Sequence, residues 1–242
     1  MARGGPDWES PSYQLSGVQV DAADTADRLL GFARVDTRGR VFYLETFKDG
    51  LTGWSANTAG TATAPQAKVE AQRGFAGPVA IHLLPGATVG DSSFMTRAGY
   101  LGAAKRVGVE ICLTLTGSDT DVLINLSYIR NDGVTYAIYL WYDTSAAQWY
   151  VRDNSNVDHA LSLETSVLQT PFFIIKIVGD FETGLYDRVL AGEIQYNISD
   201  VTLHGAGTAD EGKFVAGIHA TSDGGSSSGL YLHYIIFTKD EE

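Results

Sequence analysis

The sequence predicts an all-β, antiparallel sandwich preceded by an extended N-terminal arm, and three observations lead there. From residue 41 onward, short apolar runs alternate with turn residues, which is the form of many strands joined by tight reversals. Strand–helix alternation is missing, which argues against a parallel α/β sheet. With 242 residues, 44% hydrophobic and 11% aromatic, the chain can bury a sizeable core, and sandwiches reach this length as one unit.

Residues 1–40 read as an arm. They are rich in Asp, Gly, Arg and Ser, with isolated apolar residues until Leu29, Leu30 and Phe32. A short helix is expected over residues 22–32, with Asp21 placed to cap it and Gly31 near its end. Two readings of the arm are open: a disordered leader, or a segment that orders against a partner subunit. Trp8, Tyr13, Leu29, Leu30 and Phe32 favour the second, because large apolar side chains are wasted on a solvated tail.

Residues 41–242 form the sandwich. The expected strands, in order, are "VFYLETF", "AKVEAQ", "PVAIHLL", "SSFMTRA", "RVGVEICLTLTG", "DVLINLSYIR", "VTYAIYLWYD", "QWYVRD", "FFIIKIVGDFE", "LYDRVLA", "GEIQYNIS", "KFVAGIHATS" and "LYLHYIIFTKD". Between them "NDG", "DTSAA", "ETG", "LAG" and "SDGGSSSG" supply the Gly, Asn or Asp that reversals need.

One stretch stands out: "GVTYAIYLWYDTSAAQWYVRD" has rings at nearly every second position. By the period of two, Val134, Tyr136, Ile138, Leu140 and Tyr142 share one face, and Tyr139 and Trp141 the other. Both faces are therefore largely apolar. One face belongs to the core; the other is either covered by more protein or reserved for a ligand or neighbour. In the second case Tyr139, Trp141 and Trp149 make an exposed, concave aromatic surface for a glycan or a protein.

Charge narrows the partners. A net charge of −12, with basic residues scattered rather than clustered, excludes a surface built to neutralise phosphates, so no nucleic acid is expected. The single cysteine, Cys112, sits in an apolar run and is expected in the core, with packing rather than cross-links holding the fold. The opening residues lack the basic cap and apolar stretch of a secretory signal, and no apolar run approaches membrane-spanning length.

Two stretches carry a resemblance: "VFYLETFKDGLTGWSANTAGTATAP", with Phe47, Asp49, Gly50 and Trp54, and "FFIIKIVGDFETGLYDRVLAGEIQYNIS", with Asp180, Gly184, Tyr186 and Gly192, followed by the closing "LYLHYIIFTKDEE". They resemble the opening strand, the strand–turn–strand unit and the completing strand of jelly-roll β-sandwiches of the concanavalin A-like lectin and glucanase class. Together with "DRLLGFARVDTRGRV" in the arm, the arrangement is similar to virion accessory proteins of tailed phages. That likeness implies capsid decoration or a head or tail surface position, assembly in the host cytoplasm, and other subunits as partners in a homo-oligomer or larger assembly.

Enzymes of the glucanase class carry E-x-D-x-x-E on one strand, which places two carboxylates for acid–base and nucleophilic work. Glu45, Glu70, Glu110, Glu164, Glu182 and Glu193 all fail that spacing. "GSSSG" matches a nucleophile elbow only in letters, since it lies in a loop that leads into a strand. His82, His159, His204, His219 and His233 are scattered; a facing pair at His219 and His233 is the one arrangement to look for. No enzyme and no cofactor are expected, apart from possible calcium at Asp119, Asp121 and Asp49, since this class often holds that ion with loop carboxylates. Two functions survive: a structural assembly protein that docks through its arm and an aromatic face, or a carbohydrate-binding module that stacks sugars on exposed rings.

Overall fold

The computed structural model describes residues 38–69, 79–102, 104–130, 133–163, 172–192, 194–205, 213–224 and 228–241. The arm's expected helix and its residues Trp8, Tyr13, Leu29, Leu30 and Phe32 lie outside that set. The described residues contain no helix. Their strands are β1 (Arg40–Glu45), β2 (Ser55–Ala59), β3 (Thr63–Val69), β4 (Val79–Leu84), β5 (Ser92–Tyr100), β6 (Arg106–Leu115), β7 (Thr120–Ile129) and β8 (Thr135–Asp143). They continue with β9 (Gln148–Arg152), β10 (Asp158–Leu161), β11 (Phe173–Asp180), β12 (Leu185–Ala191), β13 (Ile194–Asn197), β14 (His204–Gly205), β15 (Lys213–Ser222) and β16 (Leu230–Lys239).

These strands make two antiparallel sheets that enclose one core. The back sheet runs β13–β12–β11–β6–β16–β4–β3, with β1 beside β4 on the same edge of β16. The front sheet runs β10–β9–β8–β7–β15–β5–β2, with β14 beside β9 on the edge of β8. The chain builds β7 to β10 as a meander in front and β11 to β13 as a meander behind, while β4, β5, β6 and β7 alternate between sheets.

Burial follows the sequence pattern. On β7, Val122, Ile124, Leu126 and Tyr128 point into the core, while Leu123, Asn125 and Ser127 are half-buried on the outer side. β6 and β16 carry nearly unbroken apolar runs because both of their faces are covered. Three strands escaped the sequence pattern: β2, β10 and β14. They are short edge segments with mostly exposed or half-exposed side chains, so they carry no apolar alternation to read. His219 and His233 do not face each other, since β15 and β16 belong to different sheets.

The outward face of the back sheet is also buried. Cys112, Tyr234 and Ile236 are fully shielded there and form a second apolar cluster with Val41. Beside it lies an ionic group: Glu241 accepts Lys176 Nζ on Oε1 and Arg188 Nη2 on Oε2, each at 2.7 Å. Tyr234 donates its hydroxyl hydrogen to Glu110 at 3.0 Å. A buried charge without an opposite partner costs several kcal/mol, so this group keeps its members paired.

Candidate functional site on the front sheet

The outer face of the front sheet gathers rings from four strands, with the aliphatic Leu123 of a fifth between them. Tyr150 on β9 stands opposite Trp141 on β8, which stands opposite Leu123 on β7. Leu123 faces His219 on β15, and His219 faces Phe94 on β5. Trp141 and Tyr150 stack at 4.7 Å between centroids with planes 19° apart, and Phe94 and His219 at 4.9 Å and 14°. Five strands at roughly 4.8 Å spacing make this ladder about 19 Å long. Asn57 on β2 extends its row by one polar residue.

The neighbouring row is polar and recessed. Tyr139 stands opposite Asn125, Asn125 opposite Gly217, and Gly217 opposite Thr96. A Cβ at residue 217 would lie 2.3 Å from Asn125 Oδ1, so only glycine leaves room for the amide there. Asn125 Oδ1 is shielded from bulk solvent and makes no hydrogen bond. Such an atom costs free energy until something donates to it. His204, delivered by β14, packs edge-on against Tyr139 at 4.9 Å and 62°.

Residues of the back sheet and the turns set this geometry from beneath and from the sides. Tyr186 reaches across the core from β12: its hydroxyl accepts the Tyr139 N–H at 3.0 Å and donates to the Arg152 carbonyl at 2.8 Å. It thereby satisfies backbone groups next to the last paired residues of β8 and β9, Leu140 and Val151. Burial drives the Tyr186 hydroxyl far above its ordinary range, which keeps it protonated as a donor. Arg152 makes a two-pronged contact with Asp158, at 2.8 and 3.1 Å, and this holds the Asp158 carboxyl below its usual value.

The other carboxylates bordering the face are engaged in turns. Asp121 Oδ1 accepts both the N–H and the hydroxyl of Thr144 at 2.9 Å, and Asp143 Oδ1 accepts Ser145 and the Ala146 N–H. Burial pushes the Asp121 carboxyl up, with Asp143 and Asp223 adding repulsion. His219 is pushed below its ordinary value of 6.5 by burial, so at neutral pH its ring is uncharged.

Two of the three expected aromatic residues lie on this face, Tyr139 and Trp141. Trp149 does not. It is 1% exposed, packed in the core against Tyr142 at 5.1 Å and stacked on Phe173 at 5.7 Å. The reason is register: Gln148 pairs with Asp143, which sets Trp149 opposite inward-facing Tyr142 and gives the outward place beside Trp141 to Tyr150. The sequence does not single out Tyr150, Phe94 or Leu123 for this face, and it marks His219 only as one half of a facing histidine pair. Of the calcium candidates, Asp119 and Asp121 flank the start of β7, level through Thr221 and Ser92 with Ala59 at the end of β2, whereas Asp49 precedes the opposite end of β2. No group of three or more His, Cys, Asp or Glu among the described residues is arranged to hold a metal ion.

The two-sheet architecture recurs in solved structures. A carbohydrate esterase of the Shiga toxin-encoding bacteriophage phi24B superposes with a TM-score of 0.54 at 14% identity, covering 83% of this chain and 99% of that one. The cellulose-induced protein Cip1 gives 0.52 at 11% identity, over 81% of this chain and 96% of that one. Lectin I-B4 from Griffonia simplicifolia gives 0.50 at 11% identity, over 82% and 98%. The fold is the concanavalin A-like jelly roll. At these identities the likeness establishes the jelly-roll architecture alone. No protein-family profile matches the chain, and no curated protein matches it.

Proposed function

We propose that the outer face of the front sheet binds a neutral, extended glycan without cleaving it. The observation that carries this is an uncharged apolar ladder, the stacked pairs Tyr150–Trp141 and His219–Phe94 joined by Leu123, side by side with a polar row. Sugar rings present an apolar C–H face and a rim of hydroxyls. A flat aromatic row takes the first, and Asn125 with Thr96 and Ser127 takes the second. At about 19 Å, the ladder matches a chain of several sugars better than a single terminal one. Retention without hydrolysis is supported by Asp121, Asp143 and Asp158, each of which is engaged in a turn or an ion pair. A lectin among the jelly-roll neighbours is consistent with glycan binding on this fold.

The test is affinity for neutral oligosaccharides of increasing length, with uronic-acid oligosaccharides in parallel, read by titration calorimetry. Affinity for the neutral series should rise with length and level off at about four sugars, the span of the ladder. Trp141→Ala and Tyr150→Ala should each weaken it by at least ~10-fold, as truncation of a central aromatic anchor does. Binding that survives both substitutions would sink the proposal.

A second reading uses the same face: a ring ladder with a polar border also docks proteins. In that reading the chain is a virion accessory protein, held in an assembly with further subunits. Light scattering on the intact chain and on a version starting at Arg40 separates the two. A defined oligomer that becomes a folded monomer on truncation favours assembly through the arm.

A further inference from the structure

The outward face of the back sheet is sealed like an interior. Cys112 on β6 and Tyr234 and Ile236 on β16 are each 0% exposed, and Lys176 on β11 is equally hidden. In-plane neighbours cannot seal the face of a central strand; something must lie on top of it. At one end the described chain does reach over. The Arg38 carbonyl accepts a hydrogen bond from Lys176 Nζ at 3.2 Å, and the Arg38 guanidinium donates to Gln195 Oε1 on β13 at 2.8 Å. Residue 38 therefore sits above the outward side of β11, two residues before the chain drops into the sheet plane at β1.

We propose that residues 1–37 fold back over this outward face within their own chain, seating Leu29, Leu30 and Phe32 against Cys112, Tyr234 and Ile236. The reach suffices. Phe32 is six residues from Arg38. Extended, that is up to about 20 Å. From β11 across β6 to β16 is only two strand spacings, about 10 Å. The chemistry also matches. Beside the apolar patch the face buries Lys176, Arg188, Glu110 and Glu241, two cations and two carboxylates, with both cations paired to Glu241. Within residues 27–36, the stretch that carries Leu29, Leu30 and Phe32, Asp27 and Asp36 balance Arg28 and Arg34, again two of each sign. An apolar, charge-balanced strip laid on an apolar, charge-balanced face leaves no buried net charge to compensate.

Cys112 is the one cysteine in the chain, which makes it a reporter for the covered face. The experiment is its rate of alkylation by N-ethylmaleimide in the full chain and in a chain beginning at Arg38. Removing the segment should speed alkylation by at least ~10-fold, since exposure of a buried group follows the opening of whatever covers it. A synthetic peptide of residues 1–37 added in excess should restore protection. If the shortened chain loses its near-ultraviolet circular dichroism, the full-length Leu30→Asp, Phe32→Asp double variant replaces it, with the same acceleration expected. An unchanged rate in a folded variant overturns the proposal, because another segment then covers the face. Protection that falls on dilution, together with a dimer mass by light scattering, also overturns it, because a second copy then supplies the cover.

Discussion

At His219 the chemistry of the ring ladder meets solution pH. Burial lowers this imidazole below 6.5, so the folded protein releases its proton more readily than the unfolded chain does. The stability this group contributes is full above the unfolded value and is lost as pH falls through the lowered folded one. His219→Gln should therefore flatten the pH dependence of the urea midpoint below about pH 6.5. If a sugar stacks on the neutral ring, glycan affinity should decline over that same acidic window in the parent and not in the variant. Gly217 offers a complementary probe. Its missing Cβ makes the notch in which the Asn125 amide lies. Because the clashing atom is the tip of a side chain, Gly217→Ala should change stability by less than about 1 kcal/mol while Asn125 swings outward. Glycan affinity should then drop although the protein unfolds almost as before.

Among the elements, the β8–β9 hairpin shows what could be read in the sequence and what could not. The faces of β7 and β8 were legible because alternation is local: Tyr139 and Trp141 fall opposite in phase to Ile138, Leu140 and Tyr142 whatever their neighbours do. Trp149 was misplaced because its facing depends on the loop. β8 ends at Asp143 and β9 begins at Gln148, which leaves four residues between them. An even loop pairs odd positions with even ones, so Trp141 meets Tyr150 and Trp149 turns inward. His219 and Phe94 were beyond reach for another reason. β15 and β5 come beside β7 through connections that leave the sheet and return, and no local pattern encodes that adjacency. The same hairpin depends on Tyr186 from the opposite sheet. Tyr186→Phe leaves a buried N–H at Tyr139 and a carbonyl at Arg152 without that hydroxyl, and should cost about 1–3 kcal/mol by chemical denaturation. Because Tyr139 and Arg152 border the ladder, the variant should also bind its glycan more weakly at a temperature where it remains folded.

For the molecule as a whole, the ionic group at Glu241 fastens the end of the described chain to the back sheet. Glu241→Gln keeps shape and hydrogen-bonding capacity but removes the negative charge that Lys176 and Arg188 share in a dry place, with Asp187 remaining as a partner of Arg188. A loss of about 3 kcal/mol in unfolding free energy is expected, read from the shift of the denaturation midpoint at constant slope. The back sheet has a further property that concerns time rather than energy. Its central strand β16, wedged between β6 on one side and β4 and β1 on the other, comes last among the described strands. A ribosome thus delivers β1, β4 and β6 long before the strand that joins them. Until Leu230–Lys239 emerges, those edges wait with open hydrogen-bonding groups and apolar faces, in need of shelter from neighbouring nascent chains. The back sheet can therefore be completed only once this ten-residue strand is available.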